Sequence, residues 1–304
     1  MDVSIVITTY KRNGPLREAI ESALNQSHKP AEVIVVDGSG NEYAEPVVKE
    51  YPQVKYLPQD HDRGVASARD DGVSACLSEY VHFLDDDDSL KKRAVEAKLN
   101  KARESEAGVV YSGLEWHNGH SVLPDDEVHG DVLQTALSFA MAPCIPSTML
   151  IRGDILKEVI PTAELPNDDG AMKIELARRT EFEFIEEPLT LRGDSDNSLG
   201  GSEVLVKERF EMIDYYEELY DEKTRQEAMI RAHLLAASTK YNRQMWSGDS
   251  IRHLLSVNRL AQGIQLEYIA ALVLSLFGRP GWEFGRSIQN KYLMGDSHQG
   301  TIDS

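Results

Sequence analysis

The stretch Tyr80-Val81-His82-Phe83-Leu84-Asp85-Asp86-Asp87-Asp88 leaves few choices for the chain around it. An apolar run short enough for a buried strand ends in four consecutive carboxylates. Ionised acids packed side by side cannot lie in an apolar interior unless water or a cation compensates them. The acids therefore belong at an open strand end. Oxygen ligands at this density suit a hard divalent cation, Mg2+ or Mn2+, which keeps coordination positions for substrate phosphates. A solvated acidic turn is the plain alternative.

What precedes this stretch fits a strand end of that kind. Val3 to Thr9 is a β-branched run, the type that forms a strand covered on both faces in a parallel sheet. Tyr10 to Pro15 breaks it, and Leu16, Ile20, Ala23 and Leu24 then recur at helical spacing. Glu32 to Val36 is a second strand that ends at Asp37, completing a βαβ unit with an expected right-handed crossover. A helix over Glu45 to Glu50, a strand over Val54 to Leu57 and a helix over Ala66 to Leu77 lead into Tyr80 to Leu84. This is a doubly wound α/β layer. Ligands of such sheets bind beyond the carboxyl ends of the strands, where Thr9, Asp37 and Asp85 all fall.

The next segments read as mixed. Leu90 to Ala107 is a polar helix expected on the surface, and Val109 to Leu114 a fifth strand. Leu133 to Ala142 is a short helix, Ser147 to Ile151 a strand and Asp154 to Val159 a helix. Leu165 to Gly170 is a loop opening a helix through Arg178, with a strand at Phe182 to Ile185 behind it. Such a pattern fits a sheet that acquires antiparallel strands around an acceptor pocket. After Gly200-Gly201 the chain becomes a series of charged amphipathic helices, so residues 1–202 and 203–304 are expected to be separate regions. The apolar run Ile269 to Phe277 is too short to cross a bilayer and reads as a buried helix in preference to a membrane-surface or partner-binding one.

Acids outnumber bases by 51 to 32, a formal charge of −19 that repels nucleic acid and anionic lipid. Nucleic acid is not an expected partner. An excess of this size also suits a surface that stays hydrated at high salt, where repulsion is screened over about 3 Å at 1 M. The two cysteines, Cys76 and Cys144, make no disulfide framework and suggest a reducing compartment. The N-terminus carries no signal-peptide pattern, so a soluble cytoplasmic protein is expected.

Four segments together resemble family 2 glycosyltransferases of the GT-A fold, over about residues 2–200. Ser4 to Arg12 is similar to the family's opening strand and "TYNR" turn, and Ile34 to Ser39 to its "VVDDGS" with one acid missing. Arg63-Gly64 with Ala68 to Gly72 resembles "xGxxxARNxG", and Tyr80 to Asp88 the family's DXD segment, "EYixFLDxDD". The resemblance implies a GT-A, Rossmann-like, mostly parallel central sheet flanked by helices, here with a helical C-terminal extension. It also implies an inverting, metal-dependent transfer of a sugar from a nucleotide-diphosphate donor to a hydroxyl of a glycan or lipid-linked acceptor, in glycan, polysaccharide or lipid-linked oligosaccharide assembly.

Carried over residue by residue, Thr9, Tyr10 and Arg12 of the first turn, Asp37, Arg69, Asp85 and Asp86 would contact the sugar nucleotide. Asp87, with Asp85, would hold the divalent metal, Asp86 and Asp88 being the alternates. Arg69 would line the donor pocket or pair with Asp70 or Asp71. Asn167-Asp168-Asp169 resembles the family's "EDxxLxxRLA" stretch, which implies Asp169, or its neighbour Asp168, as the base for the attacking hydroxyl. Either acid would equally cap the helix that follows. Leu189 to Arg192 resembles the last core strand, but Asp194 stands where the family has a histidine, so Arg192 would supply the positive charge beside the leaving phosphate.

Two other functions suit an α/β core of this kind. A nucleotidylyltransferase needs a glycine-rich loop after the first strand, where this chain has Thr9-Tyr10-Lys11-Arg12-Asn13. A non-catalytic nucleotide-sugar-binding or scaffold protein of the same fold would be free to lose the acids, yet Asp85, Asp87 and Asp169 are all present. The helical C-terminal third would serve equally as acceptor lid, dimer interface or packing element. With a lipid-linked acceptor, residues 264–277 would rest on the membrane.

Overall fold

A computed structural model describes residues 1–162, 164–166, 168–193, 203–243, 247–261, 266–278 and 280. The chain divides into two compact units, Met1–Asn197 and Ser198–Ser304.

The first unit begins with β1 (Val3–Thr9), α1 (Asn13–Leu24), β2 (Glu32–Asp37), α2 (Glu45–Val48), β3 (Lys55–Pro58), α3 (Gly64–Ser74) and β4 (Tyr80–Asp85). All seven residues of β1 are buried, which is why its sequence is a continuous β-branched run with no polar alternation. In α1 the buried side chains are Leu16, Ala19, Ile20 and Ala23, one helical stripe laid on the sheet. Burying a residue such as Leu16 or Ile20 contributes roughly 1.5–3 kcal/mol. Pro15 lies in the first turn of α1, where its missing N–H leaves no helical bond unmade. On the other face α3 comes so close that a Cβ on Gly72 would stand 2.3 Å from Val6 Cγ1. Only glycine fits there.

Past the acids the chain continues through β5 (Ser89–Leu90), α4 (Ala94–Ser105), β6 (Val109–Trp116), β7 (Ser121–Val122), α5 (Leu133–Leu137), β8 (Met149–Arg152), α6 (Gly153–Val159), α7 (Asp168–Ala177) and β9 (Phe182–Arg192). The strand order is β3-β2-β1-β4-β8-β6-β9-β5, with β7 on β6. The β1, β2, β3 and β4 pairings are parallel, whereas β8 runs antiparallel to both β4 and β6. The expected change from a parallel to a mixed sheet thus occurs at β4, the strand that carries the acids. No separate strand ends at Ile185: β9 runs on to Arg192, its register against β6 shifting on either side of Gly113.

Three expectations are corrected. Pro146–Thr148 is a short 3-10 turn, so the strand read from Ser147 starts only at Met149. The helix read from Leu90 starts at Ala94, because Leu90 is taken by β5, which pairs with β9. That helix is not simply a surface helix either. Its inner face buries Ala94, Val95, Leu99 and Ala102 together with Lys98, which is fully inaccessible.

The second unit holds α8 (Glu203–Tyr215), α9 (Glu222–Arg243), α10 (Gly248–Leu260) and α11 (Leu266–Ser275). Ala237, Leu254 and Ala271 form its small buried cluster. Ser247 caps α10 by accepting the Ser250 N–H at 3.3 Å. The expected burial of the apolar run does not hold, since Leu266, Ile269, Val273, Leu276 and Phe277 are all exposed. Ala271 and Ser275 are the buried side chains of α11 among the described residues and Leu272 packs partly buried beside them, so the outward stripe is Leu266, Ile269 and Val273. No helix among the described residues is long and apolar enough to cross a membrane.

Candidate active site

Parallel pairing sets Thr9 beside Asp37 and Thr8 beside Asp85, which aligns the carboxyl ends of β1, β2 and β4. The chain leaves β1 through Lys11, a non-glycine residue with a φ of 56°. That left-handed conformation costs roughly 1 kcal/mol and turns the segment back toward the acids. Asp86 gathers it: Thr9 Oγ1 donates to its Oδ2 at 2.7 Å and the Tyr10 N–H to the same oxygen at 3.3 Å. Arg12 Nη1 donates to Asp86 Oδ1 at 3.2 Å and to Asp87 Oδ2 at 2.7 Å. Burial pushes the Asp86 carboxyl up to about 6, against the pull of Thr9 and Arg12.

Arg69 comes from the middle of α3, its side chain 7% exposed. Nη2 donates to Asp85 Oδ1 at 2.9 Å, and Nη1 of the same guanidinium donates to Asp169 Oδ1. Asp169 lies in the first turn of α7 and is partly exposed, while Asp168 is the residue that opens the helix. The neighbours of Arg69 have other duties. Asp70 Oδ1 accepts from the N–H and the hydroxyl of Thr162, both at 3.1 Å, and Asp71 pairs with Arg63 and Gln59.

Because β5 pairs with the end of β9, Arg192 is carried to the acidic turn. The Gly193 N–H donates to Asp88 Oδ1 at 3.1 Å, and a Cβ on Gly193 would fall 1.9 Å from the Asp87 carbonyl oxygen. Any larger residue would push the turn away. Burial raises the Asp88 carboxyl to about 7 and the Asp85 charge adds to it, while Ser147, Arg192 and Gly193 pull it down. Asp194, at which the sequence departs from the histidine of the family pattern, lies outside the described residues.

The expected residues therefore divide. Thr9, Tyr10, Arg12, Asp86 and Asp87 form one hydrogen-bonded group and Arg69, Asp85 and Asp169 a second, the two meeting at the acidic turn, where the Arg192 charge acts on Asp88. Asp37 is next to Thr9 in the sheet, but its carboxylate turns into its own loop. It accepts from the N–H groups of Ser39 at 2.9 Å and Ala44 at 2.8 Å and from the Tyr56 hydroxyl at 2.8 Å, and it is fully buried. These donors hold the Asp37 carboxyl below the usual range despite its burial. Ser147 is a participant that sequence reasoning missed. Its Oγ accepts the Asp85 N–H at 3.1 Å and its carbonyl the Thr190 hydroxyl at 2.8 Å, bracing the acidic turn from β9. No motif marks it.

The family model described as Glycosyl transferase family 2 matches residues 4–159, just over half of the chain, including β1, β2, α3 and the acidic turn. The chain belongs to glycosyl transferase family 2. The chain is 34% identical over 112 residues to the GalNAc(5)-diNAcBac-PP-undecaprenol beta-1,3-glucosyltransferase of Campylobacter jejuni, a match covering 35% of the chain and 36% of the relative. It spans only about a third of the length of the curated relatives it matches. In fold it resembles Staphylococcus aureus TarS 1-349 in complex with UDP-GlcNAc, at a TM-score of 0.63, 16% identity and coverage of 100% of this chain and 95% of that one. It also resembles the mannosyltransferase PcManGT of Pyrobaculum calidifontis in complex with GDP-Man and Mn2+, at a TM-score of 0.58, 16% identity and coverage of 97% and 88%. The fold is that of the GT-A glycosyltransferases.

Among the described residues, no three His, Cys, Asp or Glu side chains form a ready-made metal centre. The acidic turn nevertheless fits a cation. Asp88 is 3% exposed and its Oδ2 has no hydrogen-bond partner, an oxygen that burial leaves uncompensated. An all-oxygen set with few protein ligands suits Mn2+ or Mg2+ sharing its shell with phosphate oxygens.

Proposed function

We propose that the chain is an inverting, metal-dependent glycosyltransferase that moves one sugar from a nucleoside-diphosphate sugar to a hydroxyl acceptor. The observation that carries this reading is the Arg69 guanidinium, which holds Asp85 at the acidic turn and Asp169 on α7 at once. Donor-side acid and candidate base are thereby kept within one side chain's width. Holding the groups of a site in fixed relation is what lets bound partners react as if they were one molecule.

In this reading Asp85, Asp87 and Asp88 would hold the metal, which neutralises charge on the departing diphosphate. Thr9, Tyr10 and Arg12 border the nucleotide side, and Asp37 acts by fixing the loop beside it. Asp169 accepts the proton of the acceptor hydroxyl, with Asp168 as the alternative base. The hydroxyl oxygen bonds to the anomeric carbon while the bond from that carbon to the phosphate oxygen breaks. The nucleoside diphosphate leaves with the electron pair, and Arg192 lies where it can meet that charge.

A relative named for an undecaprenol-linked glycan and neighbours bound to UDP-GlcNAc and GDP-Man support a role in glycan, polysaccharide or lipid-linked oligosaccharide assembly. We place the protein in the cytoplasm. The exposed apolar stripe of α11 offers a peripheral contact with a membrane that carries a lipid-linked acceptor. Failure to co-sediment with neutral phospholipid vesicles at native salt would remove that contact. The reaction itself is tested by incubating the protein with UDP-, GDP-, dTDP- and CDP-sugars and Mn2+, with simple glycosides as acceptors, and following the anomeric proton by NMR. Product of inverted configuration is expected, and retained configuration would refute the single-displacement mechanism.

A further inference from the structure

Arg12 holds the carboxylate that the metal needs. Its Nη1 is 2.7 Å from Asp87 Oδ2, while the side chain remains 32% exposed. Its two acidic partners are not equivalent. Asp86 is also held by Thr9 Oγ1 and the Tyr10 N–H, so it stays in place without Arg12. Asp87, by contrast, is bonded through its side chain to Arg12. A guanidinium and a divalent cation cannot share one carboxylate oxygen without strong mutual repulsion, since like charges a few ångströms apart interact strongly near a protein surface. A metal that takes Asp87 Oδ2 therefore displaces the guanidinium from it. Ion pairs with an exposed partner are weak enough to exchange, and the planar fork of arginine matches phosphate oxygens as well as carboxylate.

We propose that Arg12 is an exchangeable internal cation. It neutralises Asp87 while the donor is absent, yields that carboxylate to the metal, and turns to the diphosphate that arrives with it. The exchange rests on the glycosyltransferase reading above and adds an order to it: metal alone binds poorly, because it must displace Arg12 with nothing to receive the guanidinium. Metal and diphosphate bind well together because each provides for the other. The residue that suppresses metal binding in the free protein thus strengthens it in the complex.

The test titrates Mn2+ alone into the full chain, reading free Mn2+ by electron paramagnetic resonance, for wild type, Arg12→Gln, Arg12→Met and Arg12→Lys. UDP, GDP, dTDP and CDP are then titrated by calorimetry with Mn2+ present. Removing the charge in Arg12→Gln or Arg12→Met is expected to tighten binding of Mn2+ alone about tenfold and to weaken the nucleotide with Mn2+ about tenfold. Arg12→Lys, which keeps the charge, should stay near wild type for the metal alone. Unchanged or weaker Mn2+ binding in both neutral variants, with wild type still binding a nucleotide through Mn2+, overturns the exchange and leaves the functional reading intact. Wild type that binds no nucleotide with Mn2+ overturns both.

Discussion

Arg69 Nη2 lies 2.9 Å from Asp85 Oδ1, and this bond sets the distance between the acidic turn and helix α7, because the same guanidinium also grips Asp169. Lysine keeps the charge at this position but not the fork. Arg69→Lys is therefore expected to fold and to bind nucleotide, yet to lose about 100-fold in transfer rate through misplacement of the base. Arg69→Ala leaves two partly exposed carboxylates without their shared cation and should cost about 1 kcal/mol of stability. Single-turnover transfer together with urea unfolding separates the two effects. Full activity in Arg69→Lys would show that the guanidinium does not position the base.

Asp169 is the group assigned to take the acceptor proton. Asp169→Asn should lower kcat by about 10²- to 10⁴-fold while nucleotide affinity with Mn2+ changes little, because a general base acts in the transition state and not in donor binding. Asp168→Asn should be milder. If the larger loss falls on Asp168→Asn, the two roles exchange.

Lys98 makes a separate expectation about stability. Its Nζ is 3.0 Å from His82 Nε2, and His82 Nδ1 is 2.6 Å from the Phe83 carbonyl oxygen. Nδ1 must carry the hydrogen, so Nε2 accepts from Lys98 and the imidazole stays neutral; burial, then the lysine charge, hold its pKa far below the usual value. Among the described residues no carboxylate compensates the ammonium, and burial lowers Lys98 from 10.5 to about 7. Between those two values the unfolded chain binds more protons than the folded one, so stability rises with pH across that window and is least below it. Lys98→Met removes the buried charge but leaves His82 Nε2 without its donor. It should stabilise the protein by a few kcal/mol at pH 6, a gain that shrinks toward pH 10 as the cost of folding the wild-type lysine neutral falls away. Urea unfolding at pH 6, 8 and 10 measures this, and a gap that does not change with pH would contradict it.

The charge of −19 bears on the surface as a whole. Repulsion among exposed acids should make the folded state gain stability between 0.1 M and 2 M KCl, as the screening length falls from about 10 Å to below 3 Å. Thermal melting across that range tests the idea of a salt-adapted surface. A melting temperature that does not move with salt would set it aside.

Much of this is legible in the sequence, where a residue's role follows from local pattern. The β-branched run of β1, the helical stripe of α1 and the strand end at Asp85 needed only period and composition. What escaped depends on partners remote in sequence. Ser89–Leu90 is too short to show a period, yet its pairing with β9 brings Arg192 to the acids. Lys98 lies among polar residues and reads as solvated, but its face of α4 is turned to the sheet. Asp37 was placed correctly at a strand end, and only the fold reveals that Ser39, Ala44 and Tyr56 occupy its oxygens. The exposed stripe of α11 shows the reverse error, hydrophobicity taken as burial when a helix in a small unit has too little protein around it.

The most direct test of the central claim is calorimetric titration of the full chain with UDP, GDP, dTDP and CDP, each with Mn2+ and again with chelator, in wild type and Asp87→Ala. Tight binding of one nucleotide that requires the metal and vanishes in Asp87→Ala is the predicted result, and it names the donor class. Binding that is indifferent to chelator and to Asp87→Ala would contradict the account, and the acidic turn would then be a braced corner of a nucleotide-binding or scaffold protein and not its catalytic centre.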